Sequence, residues 1–185
     1  MRHLSVPAAS LGSAFTIALV AGASYFVHEP CLAPPLGATA LLCVIIPGAN
    51  ASAPRNVVCS HALALVCGWA ALVVSGANHL PSAFVGGFQP AHVLSAALAM
   101  GLTVAVTERL HVRHPPAGAT TLIVGLGVVP EPAKFLAVVG GAALTAYGAM
   151  LVHRVAGNPY PVWRPLNELA AARPAPGTEG ASPPA

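Results

Sequence analysis

Four apolar runs, each close to the length of a membrane-spanning helix, dominate this sequence. They cover residues 10–27, 57–77, 92–107 and 135–152, and a helix needs about 20 apolar residues to cross a hydrocarbon core about 30 Å thick. Only 7% of the residues are charged and 56% are hydrophobic, whereas soluble domains carry about 25% charged residues. The runs therefore predict an all-α integral membrane protein.

Two shorter apolar runs lie between the long ones, at residues 34–47 and 115–129. At 1.5 Å per residue these runs give helices only about 21 to 23 Å long, which is less than the thickness of the hydrocarbon core. We expect them either to re-enter the membrane from one side or to cross it as broken helices with an extended segment.

The second half of the sequence repeats the first half at an offset of 81 residues. The segment PPLGATALL at 34–42 aligns with PPAGATTLI at 115–123, and six of the nine positions are identical. The same offset places the first long run on the third and, with small adjustments in the loops, the second on the fourth. Three elements that recur in one order predict an internal duplication of a long helix, a short PPxGAT helix and a long helix.

The duplication also sets the predicted domain organisation. Repeat 1 covers about residues 9–77 and repeat 2 about 90–153, so that residues 1–154 form one transmembrane domain. Residues 155–185 are rich in proline and alanine and lack an apolar period, which predicts a mostly disordered cytoplasmic tail.

The positions of the basic residues bear on the topology. If all six runs cross the membrane, Lys134 alone lies on the far side, and seven arginines lie on the side of the amino terminus. These are Arg2, Arg55, Arg109, Arg113, Arg154, Arg164 and Arg173. If only the long runs cross, the two sides carry equal numbers. The positive-inside rule favours six crossings, cytoplasmic termini and an inverted repeat, while four crossings stay open as the alternative. The expected location is a bacterial inner membrane.

The two PPxGAT segments are the candidate binding site. Proline suits the first turn of a helix, and a short helix whose amino end lies below the membrane surface can offer N–H groups and a partial positive charge to an anion. Glycine allows close approach and threonine adds a hydroxyl, although both residue types also serve plain helix packing. The candidates in these segments are Pro35, Gly37, Thr39, His114, Pro115, Pro116, Gly118 and Thr120.

Three further residues near these segments are candidates for lining a pathway. Arg55 and Arg113 flank the apolar runs, where they could attract an anion or serve as cytoplasmic anchors. His61 lies inside the second long run, and ionisable groups within a membrane usually mark a pathway or pair with another helix. His111 and His114 are three residues apart, which makes a proton relay between them conceivable.

At these residues the sequence resembles the HPP family of small integral membrane proteins, named for the triplet His114, Pro115 and Pro116. The resemblance covers residues from about 8 to 153 and rests on HPPAGAT at 114–120, PLGAT at 35–39 and PRNVVCSHALALVCG at 54–68. Cys59 and Ser60 stand where glycines are common in the family. The resemblance implies a membrane protein, usually described with four spans and suspected of transport, and one branch of the family is associated with nitrite.

These observations predict a transporter or channel for a small inorganic anion, with nitrite in first place. Formate, nitrate and chloride fit the predicted site almost as well, and a non-transporting membrane scaffold or accessory subunit is the alternative function. A membrane enzyme is disfavoured, because Glu29, Glu108 and Glu131 are the carboxylates of the membrane part and no pair of nucleophile and base is visible.

The remaining expectations concern partners. The cysteines at 31, 43, 59 and 67 lack the spacing of a metal site, so neither a metal nor a cofactor is expected. The arginines are scattered and form no basic stripe that could bind nucleic acid. The lipid bilayer is the expected environment. Small residues at a spacing of four, Gly141, Thr145 and Ala149, predict a homo-oligomer that packs through the last span.

Overall fold

In the computed structural model, residues 4–166 and 168 are described, and this part of the chain is helical and has no strand. The α-helices are α1 (Val6–Val27), α2 (Pro35–Ile45), α3 (Pro54–Val74), α4 (Ala83–Gly86), α5 (Pro90–Arg109), α6 (Ala117–Gly125) and α7 (Phe135–Val155). The predicted all-α fold is therefore confirmed. The four-residue helix α4 was not predicted.

Four of the helices, α1, α3, α5 and α7, are long and apolar enough to cross a membrane. They coincide with the four long runs to within a few residues at each end. The two short runs form α2, with 11 residues, and α6, with nine residues. At 1.5 Å per residue α2 is about 16 Å long and α6 about 14 Å long, so neither covers the hydrocarbon thickness by itself.

Proline positions explain where several of these helices begin. Pro35, Pro54 and Pro90 are the first residues of α2, α3 and α5, and α6 begins directly after Pro115 and Pro116. Proline has no N–H to leave unsatisfied in the first turn, and its φ is already near the helical value. The PPxGAT segments are thus helix starts, as predicted.

Contacts along α7 define the directions of α1 and α2. Gly148 of α7 packs on Thr16 of α1, and Val152, one turn further along α7, packs on Gly12, one turn nearer the start of α1. The two helices are therefore antiparallel. The helix α2 runs parallel to α7 instead. Leu36 near its start packs on Gly141, and the carbonyl of Val44 near its end accepts a hydrogen bond from His153 (3.0 Å).

Contacts around α6 define the second half in the same way. The hydroxyl of Ser60 donates to the carbonyl of Val112 just before α6, and Gly68 packs on Val124 near its end, so α3 and α6 are parallel. Ser95 near the start of α5 donates to the carbonyl of Gly125 at the end of α6 (2.6 Å). The helices α5 and α6 are therefore antiparallel. Apart from the four-residue α4, every α-helix points along the axis between the same two ends of the bundle.

The two ends of the bundle differ in charge. One end, called here the Arg55 end, carries the starts of α1 and α3, the segment 46–53, the ends of α5 and α7, and residues 156–164. The opposite end, the Lys134 end, carries residues 75–90 and 126–134. Among the described residues, five arginines lie at the Arg55 end and Lys134 alone lies at the other end. The five are Arg55, Arg109, Arg113, Arg154 and Arg164. Arg2 and Arg173 lie outside the described residues.

The helix contacts follow the offset of 81 residues. The contact between Ser60 and Val112 has its counterpart in the contact between Gly141 and the carbonyl of Cys31, and each partner is shifted by 81. The contacts between helices of the two halves are related in the same way. The contact of α3 with α5 corresponds to that of α7 with α1, and the contact of α3 with α6 corresponds to that of α7 with α2. The directions are those of an inverted arrangement, and the duplication itself stays a prediction.

The small-residue stripe on α7 lies inside the protomer. Gly141, Thr145 and Ala149 are buried, and a Cβ at Gly141 would overlap the backbone carbonyl of Cys31. The stripe therefore packs against α1, α2 and the segment before α2, and it is not available to a second copy of the chain. The homo-oligomer stays a prediction, without the support that this stripe was expected to supply.

The described part of the tail packs on the Arg55 end. The hydroxyl of Tyr160, a side chain that is 5% exposed, donates to the carbonyl of Ser52 (2.7 Å), and its ring stacks on His153 with the ring centroids 5.4 Å apart. The backbone N–H of Arg55 donates to the carbonyl of Trp163 (3.0 Å). Residues up to 166 thus have a defined place on the bundle, and the rest of the predicted tail, apart from Glu168, lies outside the described residues.

Candidate functional site

Four polar side chains form a hydrogen-bonded chain at the centre of the bundle. Nδ1 of His61 lies 2.7 Å from Oγ1 of Thr120, and its Nε2 lies 3.0 Å from Oγ1 of Thr39. The same Thr39 oxygen lies 3.0 Å from Nε2 of His114, whose Nδ1 lies 2.7 Å from the carbonyl oxygen of Ala51. These four side chains are 0 to 4% exposed. We call this arrangement the Thr–His chain.

The Thr–His chain joins both PPxGAT segments to α3. Thr39 comes from the first segment and Thr120 from the second, at positions related by the offset of 81. His61 on α3 and His114, directly before the prolines, connect the two hydroxyls. The structure therefore brings together four of the predicted site residues, which lie as far apart in the sequence as 39 and 120.

The fixed acceptor at one end sets the direction of every hydrogen bond in the neutral chain. A carbonyl can only accept, so Nδ1 of His114 carries a proton and its Nε2 accepts from the hydroxyl of Thr39. The single hydroxyl proton of Thr39 is then used, so Nε2–H of His61 donates to Thr39, and Nδ1 of His61 accepts from Thr120. All four bonds then have a donor, and all point towards Ala51.

The two repeats differ at the histidines. The offset of 81 relates His61 to Ala142 and His114 to Ala33, both buried. The threonines are thus duplicated, whereas each histidine has an alanine at the related position of the other repeat. The Thr–His chain is consequently asymmetric and extends from the centre towards the Arg55 end, where Ala51 lies.

The amino ends of the short helices differ from the prediction. The N–H groups of Leu36 and Gly37 donate to the carbonyls of Ala33 and Pro34. In the second segment, the N–H groups of Ala117, Gly118 and Ala119 donate to the carbonyls three residues before them. Each helix begins with a tight turn that already satisfies these groups. An anion would have to displace these bonds to be held by the backbone, which makes the side chains the better candidates.

The two glycines of the motif have different surroundings. Gly37 is exposed, and nothing lies within 4 Å of a Cβ built on it. Gly118 is half-buried, and a Cβ there would lie 3.4 Å from Cε of Met100. Gly118 lines a cavity of about 250 Å³ between α5 and the second segment, to which Arg113 and His114 also contribute. The structure does not bring Gly37 into this cavity.

A second cavity, of about 260 Å³, lies next to the first at the Arg55 end. Its lining is polar and charged, and it consists of Asn50, Asn56, His111, Arg113 and Glu168. Arg113 lines both cavities, and its side chain is 63% exposed and pairs with Glu108 at 2.5 Å. The two cavities share Arg113, and the first is also lined by His114, a member of the Thr–His chain.

Arg55 holds a carboxylate at this end of the bundle. Its Nη1 and Nη2 donate to the two oxygens of Glu168, at 2.8 and 2.6 Å. These two hydrogen bonds are the main reason why the pKa of the Glu168 carboxyl lies below its ordinary value. The geometry is the paired donor arrangement with which arginine recognises planar anions that present two oxygens.

The remaining predicted residues lie at the margins of this site. Pro35 is buried as the first residue of α2, Pro115 is exposed, and Pro116 is half-buried. The proton relay considered between His111 and His114 is not found, because His111 is exposed with a positive φ of 54°, and His114 pairs with His61. The sequence reasoning missed Glu168 and the carbonyl of Ala51, and no pattern in the sequence links either to its partner.

The described residues contain no group of three histidine, cysteine or glutamate side chains that could hold a metal ion. Cys31, Cys43 and Cys67 are buried and Cys59 is half-buried, and all four are free thiols. The polar centre therefore consists of hydroxyl and imidazole groups, which can bind a small polar solute or carry a proton.

Comparison with known proteins shows the family of the chain. No curated protein and no solved structure matches the chain. A family model described as "HPP, transmembrane region" matches residues 2–161, which include the four long helices, both PPxGAT segments and the complete Thr–His chain. The chain is therefore a multi-pass membrane protein that belongs to the HPP family.

Proposed function

We propose that this protein carries a small inorganic monoanion across the membrane, with nitrite as the leading candidate substrate. The observation that carries the proposal is the Thr–His chain, in which four polar side chains are buried at the centre of an apolar bundle. Polar and ionisable groups are expensive within a membrane and are typical of substrate or proton pathways. The choice of nitrite rests on the resemblance to the HPP family, one branch of which is associated with nitrite.

The charge at the Arg55 end supports an anion as the substrate. Five arginines lie at that end among the described residues, and Arg55 binds the two oxygens of the Glu168 carboxylate. Nitrite, nitrate and formate also present two oxygens in one plane. The Glu168 carboxylate thus stands in the place that such an anion would take at the mouth of the pathway, and release of Glu168 would free Arg55 to attract it.

The closed centre supports a carrier more than an open channel. Thr39, His61 and Thr120 have no exposed surface, and their hydrogen bonds join α2, α3 and α6 directly. An anion can pass only if these helices move apart, which is the behaviour of a carrier built from inverted repeats. The proposed orientation places the Arg55 end and both termini in the cytoplasm, in accordance with the positive-inside rule, and we place the protein in a bacterial inner membrane. With six helices pointing between the two ends of the bundle, the proposed topology has six crossings.

The alternative function is a membrane scaffold or accessory subunit without transport. It is favoured by the close packing at the glycines, since a Cβ at Gly68 would lie 2.7 Å from the carbonyl oxygen of Thr121 and one at Gly141 would overlap the backbone. Close packing of this kind serves helix association. It does not explain why two histidines are buried at the centre, and for this reason we place the transporter first. We propose no enzymatic activity.

The test is anion flux into proteoliposomes, with nitrite, nitrate, formate and chloride compared side by side in the same vesicles. The proposal predicts protein-dependent uptake of nitrite, and slower or equal uptake of the other anions. Because nitrous and formic acids cross lipid unaided, protein-free vesicles must be measured alongside. Uptake that equals the protein-free rate for all four anions, with folded protein in both orientations, would leave the scaffold as the better account.

A further inference from the structure

His61 and His114 are two titratable side chains in contact at the centre of the bundle, with their ring centroids 5.2 Å apart. We propose that this pair binds one proton and that the proton crosses the membrane together with the anion, so that the transport of a monoanion is electroneutral. The inference rests on the anion transport proposed above and adds its coupling ion.

Two nitrogen atoms in the Thr–His chain can receive the proton. In the neutral chain Nδ1 of His61 and Nε2 of His114 are acceptors, and the other two ring nitrogens already carry a proton. A proton on Nδ1 of His61 turns that nitrogen into a donor to Thr120, whose oxygen still has lone pairs free to accept. The hydrogen bond survives with its direction reversed, and the ring keeps a partner at both nitrogens.

Thr39 allows the charge to move between the two rings. Its hydroxyl lies between Nε2 of His61 and Nε2 of His114, at 3.0 Å from each. When Nε2–H of a protonated His61 passes its proton to the Thr39 oxygen, the hydroxyl proton of Thr39 passes to Nε2 of His114. One N–H bond and one O–H bond break and the same two kinds of bond form, so the positive charge moves from His61 to His114 without a co-reactant.

The chain stays connected after this transfer. The hydroxyl of Thr39 donates back to Nε2 of His61, while its oxygen accepts from the protonated His114. The carbonyl of Pro35, 3.3 Å from the same oxygen, is a further acceptor on the first turn of α2. His114 lines the cavity between α5 and the second PPxGAT segment, and this cavity provides the route from the pair to the Arg55 end.

The pair has room for one extra proton rather than two. Two imidazolium rings 5.2 Å apart would repel strongly where the effective dielectric constant is low, whereas a single charge can be shared through Thr39. One proton with one nitrite gives a neutral load, and a neutral load avoids the free energy of moving a net charge through the hydrocarbon core.

The charged groups nearest to the pair are already compensated. Arg113 pairs with Glu108, and Arg55 pairs with Glu168. The other titratable or charged side chains on the elements packed around the pair are Cys43, Cys59, Cys67, His92, Arg109, His111, Tyr147, His153 and Arg154. Because both arginines near the pathway have a carboxylate partner, the histidine pair is the group whose charge can change at the centre.

The experiment measures anion and proton movement in the same vesicles. Proteoliposomes contain a pH-sensitive dye and equal potassium on both sides with valinomycin, which holds the membrane potential at zero. On addition of nitrite, the lumen should acidify by one proton for each anion beyond the protein-free control, and an imposed potential should leave the rate unchanged. Nitrite uptake that follows the potential without protein-dependent acidification would overturn the coupling and leave the proposed transport intact.

Substitutions of the histidines identify the proton site. In His61→Gln and His114→Asn, an amide nitrogen retains the donor to Thr39 or to Ala51 but cannot take up a proton. Each variant should lower protein-dependent proton flux at least tenfold. The control is His153→Gln. His153 is buried and forms its hydrogen bond with the carbonyl of Val44, which is not part of the Thr–His chain, so this variant should keep the unmodified ratio of protons to anions. A folded His61→Gln protein that moves protons with nitrite at the unmodified rate would overturn the assignment.

A second readout separates failure of the coupling from failure of the proposed function. If no anion moves, 15N spectra of labelled histidine in the intact protein, assigned with the same variants, still report protonation of the pair. A pair that takes up one proton as the pH is lowered supports the proton site even though anion transport is then wrong. A pair that stays neutral over the pH range in which the protein remains folded overturns the proton site.

Discussion

The hydroxyl oxygen of Thr39 lies 3.0 Å from Nε2 of His114, although the two residues are 75 positions apart. Thr39 belongs to the first PPxGAT segment and His114 directly precedes the second, so this contact joins the two halves of the protein. With His61 and Thr120, the contact forms a chain in which each polar atom has a partner.

The directions of the hydrogen bonds predict opposite tautomers for the two histidines. In the neutral protein, His61 should carry its proton on Nε2 and His114 on Nδ1, because Ala51 offers only a carbonyl to His114. The measurement is 15N spectroscopy of labelled histidine at a pH where both rings are neutral, with assignment by His61→Gln and His114→Asn. The same tautomer on both rings would be incompatible with the chain.

The two threonines should differ in their effect on stability. Thr120→Val leaves one buried histidine nitrogen without a partner, at a cost of about 1 to 3 kcal/mol in the free energy of unfolding. Thr39→Val leaves two such nitrogens and should cost more. Thr145→Val is the matched control, because the buried hydroxyl of Thr145 bonds the carbonyl of Gly141 in its own helix, and its loss should cost less than about 1 kcal/mol.

Unfolding in mixed micelles gives these free energies. Equal values for the variants at Thr39 and Thr145 would contradict the Thr–His chain, because both side chains are fully buried and they differ mainly in the number of partners outside their own helix.

Two neighbouring glycines on α7 should differ in how their substitution by alanine changes the stability of the protein. A Cβ at Gly141 would overlap the backbone carbonyl of Cys31, whereas nothing lies within 4 Å of a Cβ at Gly140. Gly141→Ala should therefore separate α7 from the segment before α2 and destabilise the protein by several times RT. Gly140→Ala should be neutral or slightly stabilising. The thermal midpoints of both variants decide this, and a Gly141→Ala protein as stable as the unmodified one would contradict the packing of α7 on Cys31.

The contact between Arg55 and Glu168 should depend on pH. Two hydrogen bonds from Arg55 lower the pKa of the Glu168 carboxyl below its value in an unfolded chain, which is about 4.3. The contact is therefore fully formed above that pH, and it is lost as the pH falls through the lowered pKa. Because both side chains are partly exposed, added salt should weaken the contact as well.

The titration of this carboxyl can be observed directly. The chain has five carboxylate side chains, so the 13C signal of Glu168 can be assigned with Glu168→Gln. In Arg55→Gln its midpoint should move up towards the unfolded value, whereas Arg109→Gln should leave it in place. A midpoint that is the same with and without Arg55 would contradict the contact.

The sequence was sufficient to predict the helices and the types of residue at the centre of the bundle. Apolar runs of about 20 residues can only be spanning helices in a chain with so few charges, and paired prolines mark where the short helices begin. Thr39, Thr120, His61 and His114 could each be singled out as a polar residue in or beside an apolar run. Their connection could not, because it depends on how α2, α3 and α6 cross.

Other features of the site could not be predicted, because they depend on tertiary packing that differs between the two repeats. The offset of 81 equates Gly37 with Gly118, yet Met100 of α5 covers only Gly118, and Gly37 is exposed. The partner of Arg55 is Glu168 in the tail, 113 residues away, and a composition typical of disorder gave no reason to expect it there. The amino ends of the short helices look available in the sequence but are closed by tight turns.

The central claim is that a small anion crosses the membrane past the second PPxGAT segment, and nitrite flux through Gly118→Val protein tests it most directly. A Cβ at Gly118 fits beside Met100, so valine should leave the fold intact and place its methyl groups in the cavity that leads to His114. The control is Gly101→Val on α5, where nothing lies within 4 Å of a Cβ. We expect Gly118→Val to lower protein-dependent nitrite uptake at least tenfold and Gly101→Val to retain it. A well-folded Gly118→Val protein that carries nitrite at the unmodified rate would contradict the account.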